Sequence, residues 1–137
     1  MTDDATRRRD NLDVIRRAFT GIGNADADEM LANYTDDLVL ELPFGTPPFV
    51  LEGRETIRAY LKGAFAALKF RLEITEVHEC TDPDKLILEY VSQGRVESSG
   101  KEYANRYISV YWFRDGAICK VREFYDALIS SQVMAEH

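Results

Sequence analysis

The sequence predicts a single α+β domain in which N-terminal helices pack into a cone formed by a curled antiparallel sheet, with a pocket at its centre. Three observations lead there. Apolar residues recur at helical spacing through the first half of the chain, whereas in the second half they alternate with polar residues along three long segments. Turn chemistry separates those segments, most clearly at Asp115-Gly116, where both residues tolerate positive φ. The segments run to about ten residues, against a usual five or six, and long strands twist until the sheet curls.

Leu12, Ile15, Phe19 and Ile22 paint one face of a first helix, which Gly21 and Gly23 are expected to end. Arg7, Arg8 and Arg9 are expected at its solvated start. Asn24 or Asp26 can cap a short second helix carrying Met30, Leu31 and Tyr34. A strand over Leu38–Leu42 follows, and Pro43, Gly45, Pro47 and Pro48 then force a loop. The spacing predicts a third helix over Arg54–Leu68, burying Ile57, Leu61, Ala64, Phe65 and Leu68. Phe70, Leu72 and Ile74 alternate with Arg71, Glu73 and Thr75 as a strand with one wet face. Turns at Thr81–Asp84, Ser98–Lys101 and Asp115-Gly116 set off strands Leu86–Val96, Tyr103–Phe113 and Ala117–Tyr125, with a short helix from Ala127.

A length of 137 residues suits one domain over 1–137. The net charge of −7 argues against a nucleic-acid partner. No apolar run approaches the roughly 20 residues of a membrane helix. Charged residues from Arg7 to Arg17 interrupt any export signal, so a cytoplasmic location is expected. Cys80 and Cys119 form no CxxC motif and are expected as free thiols. The histidines are His78, near a strand end beside Glu76 and Glu79, and His137; no His/Cys/carboxylate cluster has metal-ligand spacing, and neither a metal nor a cofactor is expected.

Strand parity separates two faces. Tyr90, Ser92, Asn105, Tyr107, Ser109, Glu123 and Tyr125 share one, and Cys119 falls with them. Ile87, Val91, Ile108, Val110, Trp112, Ile118 and Phe124 share the other. The first set mixes aromatic and polar groups, as ligand sites do. The second is apolar enough to need a cover, which predicts a homodimer through the convex sheet face.

The segments Tyr34–Asp37, Pro43–Pro48, Glu52–Glu55 and Asp115–Ile118, with the order of elements, resemble the nuclear transport factor 2-like superfamily of cystatin-like cones. Within it the chain is similar to the SnoaL-like and ketosteroid-isomerase-like group. The resemblance implies a cone around a pocket for a polyketide-, terpenoid- or steroid-like molecule, and acid/base isomerisation, dehydration or cyclisation. Steroid isomerases use an Asp base with a Tyr and a protonated Asp as oxyanion hole; here those positions fall on Leu42, Ala18 and Ser109, so that machinery is absent. Glu41, one residue away, should face outward. Several related subfamilies carry an acidic residue on the last strand, and that position falls on Glu123. The cyclase His partner falls on Ser109, and the epoxide-hydrolase partners fall near Tyr90 and Ser92.

Glu123 is therefore the catalytic candidate, its bland alternative being a surface carboxylate in a cross-strand ion pair. Phe19, Leu42, Tyr60, Phe65, Tyr90, Tyr107 and Tyr125 are expected to line the pocket, with the loop from Phe44 to Val50 forming part of its mouth or wall. Ser92, Asn105 and Ser109 are candidates for fixing ligand orientation or for capping one another across strands. His78 reads as an exposed histidine and Trp112 as an interface residue. Three functions stay open: an enzyme, a carrier or sensor of a small hydrophobic molecule, and a protein-interaction module.

Overall fold

The computed structural model describes residues 3–135, with side chains through Val133. Four helices and six strands follow in the order α1 (Asp4–Gly23), α2 (Ala27–Leu31), β1 (Tyr34–Leu42), β2 (Phe49–Glu52), α3 (Arg54–Ala67), β3 (Leu68–Glu79), β4 (Lys85–Val96), β5 (Glu102–Arg114), β6 (Ala117–Tyr125) and α4 (Ala127–Ala135). Asp3 caps α1 through Thr6 N and Asp26 caps α2 through Glu29 N, so the orphan N–H groups at both starts are satisfied by carboxylates. Gly21 does not end α1. It sits inside the helix, where a Cβ would stand 2.4 Å from Met30 N, and thereby lets α2 pack against α1. The arginines near the start of α1 are not all solvated: Arg8 donates to the carbonyls of Cys80 and Thr81.

The sheet order is β2-β1-β6-β5-β4-β3. It is not wholly antiparallel, because β1 runs parallel to β6. The proline-bearing segment is not all loop: Phe49–Glu52 forms β2 against β1. Tyr34, expected in α2, begins β1. At Gly53, φ is +89°, its N–H binds Leu38 O at 2.8 Å, and the next residue, Arg54, donates to Asp36 and to the carbonyls of Leu31 and Tyr34. The Glu52–Glu55 segment thus docks the start of α3 onto β1. Asp115 and Gly116 both take positive φ and close the β5–β6 hairpin.

The core lies between the helices and the concave face, around Ile15, Leu31, Leu38, Ile57, Leu86 and Leu88, each almost wholly buried. Alternation holds along β4 and β5. A bulge where the register shifts after Trp112 breaks it on β6, so Ile118 pairs with Phe113 and turns into the core. Ile118 therefore does not belong to the convex face, and Cys119 does not share the direction of Glu123. On the convex face Ile108 is 43% exposed, and Lys85, Lys120 and Arg122 surround the Trp112 ring. No helix among the described residues is long and apolar enough to cross a membrane.

Candidate functional site

The cone encloses a cavity of about 310 Å³. Leucines 38, 40 and 42 of β1 line one wall, and Tyr60, Leu61 and Phe65 of α3 another. The sheet forms the floor in rows set by register. Tyr90, Tyr107 and Tyr125 make one row across β4, β5 and β6; Leu88, Ser109 and Glu123 make the next; Leu86, Tyr111 and Val121 the third. Glu123 thus projects between a row of three tyrosines and a row of Leu86, Tyr111 and Val121, with the small Ser109 directly opposite on β5.

That small residue decides the geometry. Tyr90, two strands away, reaches diagonally past position 109, its hydroxyl lying 2.6 Å from Ser109 Oγ and donating to Glu123 Oε2 at 3.0 Å. A larger side chain at 109 would occupy this path. Tyr90 is held from behind by Phe19 (ring centroids 5.0 Å apart) and stacks on Tyr107 at 4.8 Å and 11°. Glu123 retains limited exposure, into the cavity. Loss of hydration among leucine and tyrosine side chains pushes its carboxyl from 4.5 up to about 7, while the Tyr90 hydrogen bond works the other way. Burial also raises the hydroxyls of Tyr34, Tyr60, Tyr90, Tyr107, Tyr111 and Tyr125, and each of them feels the Glu123 charge. These phenols stay protonated near neutrality.

Of the sequence candidates, Leu42, Tyr60, Phe65, Tyr107, Glu123 and Tyr125 come together around the cavity. Phe19 and Tyr90 lie behind its wall, because the Tyr107 ring covers Tyr90. Phe44 is not at the mouth: it packs edge-on against Phe124 and is 54% exposed. Ser109 supports Tyr90 and does not front the cavity. Ser92 and Asn105 are structural. Ser92 Oγ accepts from Asn105 N at 3.1 Å and Tyr107 Oη at 3.0 Å, and Asn105 Nδ2 donates to Tyr103 Oη at 2.9 Å and to Asp126 O at 3.1 Å. Together they tie the start of α4 to the sheet. Cys119, turned by the bulge, stands near Trp112 O with its thiol pushed up by burial.

Sequence reading missed Tyr34, Tyr103 and Tyr111 as lining residues. Tyr103 and Tyr111 share the parity of Tyr107, so extending the alternation along all of β5 finds them. Glu41 faces outward as expected, paired with Arg122 at 2.6 Å and Lys120 at 3.5 Å. His78 is half-exposed and not alone: Glu89 lies 2.7 Å and Glu76 3.9 Å from its Nε2, and the three ligand atoms fall within 4.8 Å of one another. That trio corrects the expectation of no such cluster. Glu89 belongs to the neighbouring strand, so linear spacing cannot show it.

A cone of this topology around an apolar cavity is the nuclear transport factor 2-like fold. More narrowly, the chain belongs to the SnoaL-like domain family, whose model matches residues 15–121. An uncharacterised PhzA/B-like protein of Pseudomonas aeruginosa is 36% identical over 118 residues, covering 85% of this chain and 84% of that one. A Bacillus subtilis protein provisionally designated an isomerase superposes with a TM-score of 0.88 at 21% identity, over 99% of this chain and 98% of its own. A Mycobacterium tuberculosis protein in complex with estradiol-17β-hemisuccinate gives 0.74 at 19% identity, over 85% and 94%. At such identities the two structures speak for the fold alone.

Proposed function

We propose that the protein binds a small, largely hydrophobic molecule of polyketide, terpenoid or steroid type in this cavity and converts it by acid/base chemistry at Glu123. The observation that carries the reading is the placement of a carboxyl group at the floor of an apolar cavity, where loss of hydration pushes it from 4.5 up to about 7. Such a group is present in both forms at pH 7, so it can take a proton from one atom of a bound molecule and return it to another. Isomerisation, dehydration and cyclisation all need that transfer. Tyr90, anchored by Ser109, holds the carboxylate and favours its ionised form. The lining of leucine, isoleucine, phenylalanine and tyrosine side chains suits a ligand with a bulky apolar skeleton.

A carrier or sensor is the second reading. It is favoured by the lining itself, where, among the described residues, tyrosine hydroxyls are the ionisable groups that accompany Glu123. Glu123→Gln separates the two, since it keeps shape and removes the charge. Turnover of an active substrate should fall by about 10²-fold or more with little change in affinity for an enzyme; for a carrier, affinity alone should change. Hydrophobic probes that fail to raise the melting temperature of the unaltered protein would refute the small-molecule reading.

A further inference from the structure

We propose that the ligand of this cavity carries a positive charge: an apolar skeleton bearing a protonated amine or quaternary ammonium, seated on the Glu123 carboxylate among the surrounding tyrosine rings. The inference rests on the reading of the cavity as a small-molecule site and names the chemistry that site selects.

The first ground is the charge inventory. Among the described residues that line the cavity, Glu123 is the one carrying a formal charge, and no Lys, Arg or His joins it. The nearest basic side chains on its own strand, Lys120 and Arg122, point to the opposite face and pair with Glu41. An anionic ligand would find no counter-charge and would meet Glu123 as a like charge in a poorly hydrated space.

The second ground is unfilled bonding capacity. An ionised carboxylate offers roughly four acceptor sites. Within the described protein Glu123 accepts one hydrogen bond, from Tyr90 to Oε2, and Oε1 has no protein partner. A ligand that donates to Oε1 completes the shell, and a charged donor makes a bond roughly twice as strong as a neutral one. The third ground is the surround. Tyrosines from several elements share the cavity with the carboxyl: Tyr34 on β1, Tyr60 on α3, Tyr107 and Tyr111 on β5, and Tyr125 on β6. An aromatic ring face attracts a cation and offers an anion nothing comparable. Helices α1, α2 and α4 and strand β3 contribute only uncharged side chains to the lining, including Ile22, Met30, Ser130 and Phe70.

The charges balance by either route. An ammonium pairs directly with the carboxylate. A neutral amine meeting protonated Glu123 takes the proton: the O–H bond breaks, its electron pair stays on the carboxylate, and the nitrogen lone pair forms the new N–H bond.

The test is a matched set of probes, naphthalen-2-ylmethylamine, naphthalene-2-methanol and 2-naphthoate, titrated calorimetrically into the full chain at pH 6 and pH 8. The amine should bind at least tenfold tighter than the alcohol at pH 8, and the naphthoate weakest. With Glu123 titrating near 7, its ionised fraction rises about tenfold between the two pH values, so the amine Kd should improve about tenfold while the alcohol Kd stays nearly flat. Glu123→Gln should bind alcohol and amine alike and lose the pH trend; the trend in the unaltered protein decides the matter should that variant fail to fold. An alcohol bound as tightly as the amine at pH 8, or a naphthoate bound tightest, overturns the charge assignment and leaves the small-molecule reading standing. Binding of none of the three overturns both.

Discussion

Ser109 and Glu123 face each other directly across β5 and β6, and the gap left by the smaller side chain is where the Tyr90 hydroxyl reaches the carboxylate. A hydrogen bond given to the charged form favours that form. Tyr90→Phe removes it and leaves desolvation unopposed. The Glu123 pKa should then climb further above 7, by roughly one to two units for a charge-assisted bond of about 1.5–3 kcal/mol. Carboxyl ¹³C shifts followed against pH measure this directly, and an unchanged or lowered value contradicts it.

The Glu123→Gln comparison has a second consequence, for stability. The folded protein keeps the Glu123 proton up to about pH 7, whereas the unfolded chain releases it near 4.5. The contribution is therefore present in full below about pH 4.5 and is lost as pH rises through 7. The loss amounts to roughly 3 kcal/mol. Urea unfolding at pH 4.5, 6 and 8 should show the unaltered protein losing stability relative to Glu123→Gln by that amount, with no further divergence above pH 8.

On the convex face, Ile108 and Val91 are exposed beside the basic cluster around Trp112 and the acidic pair Glu76 and Glu89. A two-fold axis through this face would set unlike charges opposite one another and bury the apolar centre. Light scattering at micromolar concentration should report a dimer, and Ile108→Asp a monomer. A stable monomer of the unaltered chain contradicts this.

Gly21→Ala should destabilise the fold although alanine is the better helix former. The gain in helix propensity is about 1 kcal/mol. The new methyl would meet the α2 backbone at 2.4 Å, and backbone cannot give way as a flexible side chain would. A net loss of about 1–3 kcal/mol is expected from such overpacking, read as a lower urea midpoint.

Much of the cone was legible because long alternating strands and helical spacing are local patterns. Tyr107, Tyr125 and Glu123 could be assigned to one face by counting residues. What counting cannot supply is an interruption of the count: the bulge after Trp112 reverses Ile118 and Cys119, and no Gly or Pro at that point announces it. Strand β2 was hidden for another reason. Its residues follow a proline cluster, and their pairing with β1 depends on tertiary position. Nor does facing inward amount to lining: Ser92, Asn105 and Ser109 have the right parity, yet their polar atoms are consumed by neighbours. The Glu76–His78–Glu89 trio likewise exists only once β3 and β4 are paired.

The parallel pairing of β1 with β6 sets an order of events during synthesis. Glu41 and Arg122, joined across this pair, lie 81 residues apart in the chain. The meander β3–β4–β5 can zip from its turns as it emerges, but β1 and β2 have no place in the sheet until β6, the penultimate element, has been made. Such distant contacts slow folding. The strand that completes the sheet also delivers Glu123, so a ribosome-bound chain halted before β6 would hold β3, β4 and β5 as one wall of the cone and lack the carboxyl at the floor of its cavity.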